Sequence, residues 1–253
     1  MSIVDLIKNP DCFRELQTFP TILLSFSYCP SSPIAHGNFK SAYKGYSTIH
    51  LFNTGSEKIC VKQCYYNPPG SHACKVFDGA KQVQQLTMEL NCIGWAAALM
   101  SCVYDFVDDS DSHIVGSKKG TIDLQVPRMR FIQCGLAILK ADDHLAYLLE
   151  EFIETDEAGH SIDWFVKYLN NDSAKPRSFN NPEKVLRAQF LSFSQHVQFW
   201  KTNGAAFVSN FQGIFWCLAT AYVSANLYFS RWSDTIDRST DNYQSMSKVK
   251  SIF

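Results

Sequence analysis

Lys62 stands in the middle of an apolar run, Ile59-Cys60-Val61-Lys62-Gln63-Cys64-Tyr65-Tyr66, where an ammonium must reach water or meet an anion. In an extended strand side chains alternate, so Cys60, Lys62 and Cys64 share one face while Val61 and Gln63 share the other. An outward-facing lysine is the plain alternative. Upstream, Gly37-Asn38-Phe39-Lys40 and the nearby Gly45 form a glycine-bearing turn. Small residues there let backbone amides approach phosphate oxygens, and a lysine adds charge. Downstream, Glu89 sits beside the apolar face of a helix. The order turn, strand lysine, helix glutamate suits phosphoryl transfer, because the carboxylate orients the amine onto a nucleotide's phosphates.

Other constellations are less specific. Cys60, Cys64, His72 and Cys74 offer ligand types that suit zinc, but their spacing is not that of a common zinc module. His196 follows Ser194 without a Gly-x-Ser-x-Gly elbow and reads as a hydrogen-bonded core histidine. Asp108, Asp109 and Asp111 lack the spacing and terminal glutamate of a calcium loop, and read as a solvated turn.

These residues need a scaffold, and 253 residues with 46% apolar side chains suffice for one large domain or two packed lobes. A formal charge of −1 argues against nucleic acid or an anionic membrane as a bulk partner. The N-terminal residues lack a signal-peptide pattern, and nine scattered cysteines do not form a disulfide framework, so a cytoplasmic or nuclear setting is expected. The uncharged segment from Ile214 to Phe229 is too short for a bilayer span and reads as a buried helix or strand.

Along the chain, a lead of about twenty residues precedes two strands, around Phe39–Phe52 and Ile59–Tyr66, and the breaker Asn67-Pro68-Pro69-Gly70 ends the second. Val83, Leu86, Leu90, Ile93, Ala97 and Met100 recur at helical spacing. A polar loop is expected from Asp108 to Gly120, strands over Arg128–Leu139 and Ala146–Ile153, and a helix opening at Pro182 and running through Phe190 and Phe193. Beyond Phe229 the composition predicts disorder.

With these blocks in order, GNFKSAYKG, ICVKQCYY, MELNCIGWA, AYLLEEFI, FVKYLNN and FSQHVQFWKTNGAAFVSNFQG, the chain resembles the alpha-type protein kinase domain, especially its fungal branch, over residues 35–213. The resemblance implies an α+β, two-lobed fold: an N-lobe of antiparallel sheet and one long helix over 21–145, and an incomplete mixed α/β C-lobe over 146–229. It implies ATP between the lobes and phosphate passed to protein hydroxyls. Carried over by position, Lys62 and Lys40 hold the phosphates with the Gly37 turn, and Glu89 partners Lys62. Glu150 is then the hinge acid beside adenine, and Leu149 and Phe152 flank the purine.

The chain departs from the family at VSNFQG. Gln212, a metal-site residue in the family, is present, but Asn210 replaces the catalytic aspartate and Thr220 stands where a second, Mg2+-binding aspartate is expected. An amide neither takes a hydroxyl proton at neutral pH nor rivals a carboxylate as a partner for Mg2+. The family's later glycine-rich loop and zinc ligands are missing after Gly213, a sharp loss that suggests a shifted reading frame or retained intron. Catalysis is therefore expected to be impaired, with Mg2+ weak or lost; the alternative is a pseudokinase or truncated remnant that binds nucleotide or protein. The protein substrate or partner is not specified.

Overall fold

The computed structural model describes residues 21–37, 39–69, 74–115, 126–140, 145–153, 166–170, 175–213 and 217–225. The N-terminal lead, His72 and the tail from 230 lie outside them. The fold is mixed α+β: an antiparallel sheet, a long helix and a second, smaller mixed sheet. The described residues fall into two compact units, 21–92 with 132–153, and 93–131 with 166–225.

In the first unit, strands β1 (Phe26–His36), β2 (Lys40–Ser47) and β3 (Lys58–Tyr66) follow one another, and β6 (Cys134–Ile138) and β7 (Ala146–Glu151) join them in the order β1-β2-β3-β7-β6. A two-residue strand, β4 (Lys75–Val76), pairs with β3 off this path. The strand beginning at 146 thus shares a sheet with residues before 145, since Lys62 pairs with Leu148 and Cys60 with Glu150. β1 carries Pro30 and Pro33 and shifts register on either side of Pro33, as an edge strand tolerates.

Alternation gives this sheet two different faces. On one, Tyr43, Ile59, Val61, Tyr147 and Leu149 form a core with Phe26 and Tyr28 packed against it. Gly45 lies within β2 on this side, not in the upstream turn, and a Cβ there would come within 2.7 Å of Val61. Its role is close strand packing. On the other face Cys64, Ala146 and Leu148 surround Leu86, which has no exposed surface, and Val83 and Leu90 pack beside it.

Leu86 belongs to helix α1 (Gly79–Val115). The expected loop from Asp108 is helical as far as Val115, because its Asp, Ser and His residues are only weak helix formers and no glycine or proline intervenes before Gly116. Further along α1 the buried apolar positions are Ile93, Ala96, Ala98, Leu99, Met100 and Val103; Ala97, expected on the stripe, is exposed. By length and composition alone Gly79–Asp109 could cross a membrane.

In the second unit, α2 (Pro182–Lys201) starts as its sequence predicts. Asn181 Oδ1 accepts from the Glu183 and Lys184 amides at 2.8 and 3.2 Å, with Pro182 in the first turn. The helix lies against β9 (Ala206–Gly213), and two of its glutamines hold one residue of that strand: Gln195 Nε2 donates to the Val208 carbonyl at 2.7 Å, and Gln198 Oε1 accepts the Val208 amide at 2.9 Å. The second sheet runs β5 (Arg130–Phe131), β10 (Cys217–Ala225), β9, β8 (Val166–Lys167). The uncharged segment is therefore strand over Cys217–Ala225, with Cys217 and Leu218 buried.

Candidate functional site

Lys62 and Glu150 occupy the helix-bearing face of the first sheet, one on β3 and one on β7. The Lys62 ammonium lies 2.7 and 2.6 Å from the two carboxylate oxygens, and the side chains are only 15% and 3% exposed. Burial by itself favours the neutral amine, but the Glu150 charge outweighs it, and Lys62 titrates above its usual range. Burial pushes Glu150 upward against the pull of Lys62.

A second pair stands on the same face. Lys40, the first residue of β2, donates to Glu89 Oε1 from α1, and both side chains are about a quarter exposed or less. Glu89 was expected to partner Lys62; it is paired with Lys40, and Lys62 takes its carboxylate from the sheet instead. The four charges share one field, since Glu89 acts on Lys62 and both lysines act on Glu150.

The remaining expected contacts divide. Gly37 lies in the β1–β2 connection, as expected, but its amide donates to the Lys40 carbonyl at 2.8 Å and its carbonyl accepts from the Tyr65 hydroxyl. That amide is already committed. Leu149, expected to flank the purine, is turned by strand alternation into the opposite core and is 3% exposed. Phe152 is half-buried, and the Lys44 ammonium stands 5.6 Å from its ring and 5.7 Å from that of Tyr46.

Sequence reasoning passed over Lys44, although it alternates in step with Lys40 along β2. It also passed over Cys134, and over the place of Cys60 beside Glu150. Cys60 and Cys134 are the cross-strand neighbours of Glu150 on either side. Burial, reinforced by the Glu150 charge, pushes both up to about 12, and burial takes Cys64 to about 11. In the metal-free chain these groups are thiols at neutral pH. Among the described residues no three His, Cys, Asp or Glu side chains gather in a metal-holding group.

In the second unit Asn210 and Gln212 lie at alternate positions of β9, with Asn210 opposite Tyr222 and Gln212 opposite Thr220 on β10 and Lys167 on β8. Asn210 is 3% exposed, and among the described residues its Oδ1 has no hydrogen-bond partner. Gln212 is partly exposed. Two neutral amides with a lysine at the adjoining register position do not fit Mg2+, which binds through carboxylates and phosphates.

No family model matches the sequence, and no curated protein matches it. Among solved structures, the chain is similar to the alpha-kinase domain of myosin-II heavy chain kinase A in complex with AMP-PNP, at 11% identity over 80% of this chain and 75% of that one, with a TM-score of 0.46. It is also similar to the alpha-kinase domain of myosin heavy chain kinase A in complex with AMP, at 12% identity over 85% of each chain, with a TM-score of 0.47. A C-terminally truncated form of that kinase domain matches at 12% identity over 80% of this chain and 76% of that one, with a TM-score of 0.45.

Proposed function

We propose that the chain is an alpha-kinase-like domain that binds ATP through its phosphates on the Lys40 and Lys62 face, and passes phosphate to protein hydroxyls poorly. Support comes from one observation above the rest. Lys62 is a buried ammonium held charged at 2.6 Å from Glu150, with a second lysine on the same sheet face. An ammonium held charged in a partly desolvated place, beside a second lysine, attracts a polyanion more strongly than one in open water. The weak transfer rests on Asn210 and on the poor fit of its surroundings to Mg2+, since phosphoryl transfer depends on positioned cations around the transferring group.

A second reading, a pseudokinase that binds nucleotide and acts by contact alone, is favoured by the burial of Asn210, which leaves its amide little access to a substrate hydroxyl. Calorimetric titration of ATP into the wild-type chain and into Lys62→Ala tests both readings. Binding lost in the variant supports the nucleotide site, and equal binding, or none in either, rejects it. Phosphotransfer above background that Lys62→Ala abolishes selects the enzyme over the pseudokinase.

A further inference from the structure

The two ion pairs on the sheet face are built differently. Glu150 is fixed in β7, is 3% exposed, and touches the Lys62 amine with both oxygens. Glu89 comes from α1 and meets Lys40 through one oxygen, with the two side chains 20% and 24% exposed. The second pair is the more open of the two to a solute. Lys40 and Lys62 are on the same face, opposite Cys64 and Ala42 respectively, so no bulky β2 side chain separates them.

A carboxylate resting on a solvent-reachable ammonium, beside a second ammonium, occupies the place that a phosphate oxygen would take. Both are compact anions that accept charge-assisted hydrogen bonds from lysine. Phosphate carries more charge and more acceptor oxygens, so it can exchange for the carboxylate while the Lys62–Glu150 pair stays in place. The helix end of the exchange is anchored: Leu86, one turn before Glu89, is fully buried against the sheet. Release of Glu89 therefore needs a side-chain rotation and leaves α1 where it is.

We propose that Glu89 is an internal competitor for the anion site, holding Lys40 in the empty protein and yielding it to the terminal phosphate of a nucleoside polyphosphate. The proposal rests on the phosphate-binding reading of this face. It also reverses the sign expected of a helix glutamate that orients a catalytic lysine, where loss of the carboxylate weakens the nucleotide site.

The experiment is calorimetric titration of metal-free ATP, and separately of inorganic tripolyphosphate, into wild type, Glu89→Gln, Lys40→Met and Lys62→Met, at low and moderate salt. Glu89→Gln is expected to bind about three- to tenfold tighter than wild type. The gain should shrink as salt screens the pair, and Lys40→Met should lose both binding and salt sensitivity. Unchanged or weaker binding by Glu89→Gln overturns the competitor. If Lys62→Met still abolishes binding in that case, the nucleotide site survives without it. Binding that appears only in Glu89→Gln supports the competitor, and absence of binding in every protein rejects both ideas. Glu89→Asp, which keeps the charge on a shorter arm, should fall between wild type and Glu89→Gln.

Discussion

Glu150 lies directly across from Cys60 in the β3–β7 pairing yet gives its charge diagonally to Lys62, two residues along the same face. The arrangement couples stability to binding, because neither charge can be removed alone without stranding the other in a desolvated place. Loss of one partner of a buried ion pair costs about 3–5 kcal/mol, whereas replacing both by apolar or neutral groups is often nearly neutral.

Lys62→Met alone should therefore lower unfolding stability in that range, and Lys62→Met/Glu150→Gln should recover most of it. Both should fail to bind ATP. Urea denaturation alongside titration separates the two effects; a double variant as unstable as the single one would show that the pair is not the source of the loss.

Asn210→Asp should neither create phosphotransfer nor leave the fold unharmed. The amide is buried, and no donor among the described residues reaches its Oδ1, so a carboxylate there would be unpaired among them. Burying an unsatisfied group costs roughly 1–3 kcal/mol, and more if it is charged. Such a carboxyl would titrate above its usual range in the folded state, so the penalty should be large at neutral pH and relax as the solution is acidified. Thermal melts of the variant at pH about 5 and about 8 read this directly. A stability difference from wild type that shrinks as pH rises would contradict it.

His196 supplies a pH dependence of the opposite sign. Burial holds its imidazole below the usual 6.5 in the folded chain. The unfolded chain then binds more protons between that lowered value and 6.5, and stability rises with pH through this window. Acidification below about 6.5 should shift the urea midpoint downward in wild type. His196→Gln should flatten that slope; an identical slope in the variant would assign the effect to other groups.

Much of this was readable from the residues. Asn181-Pro182 announced α2, the alternation around Val61 placed Lys62 on the face opposite the core, and Leu86 and Leu90 marked the side of α1 that meets the sheet. The same alternation also turns Leu149 to the face opposite Lys62 and Glu150. The exchange of partners between Glu89 and Glu150 had no such signal. It depends on the β3–β7 register, which joins residues 88 positions apart and has no trace in local spacing. The continuation of α1 past Asp108 is hidden for another reason: the run is polar and carries Gly116 and Gly120, yet polarity alone does not stop a helix and the glycines come after Val115.

The prolines of β1 bear on behaviour in concentrated solution. An extended segment from a neighbouring molecule, approaching the rim of this sheet, would find no amide hydrogens at Pro30 and Pro33 and an uneven ladder around them. Fibril-like stacking through that rim is disfavoured, even though the chain carries a high content of aromatic and branched side chains.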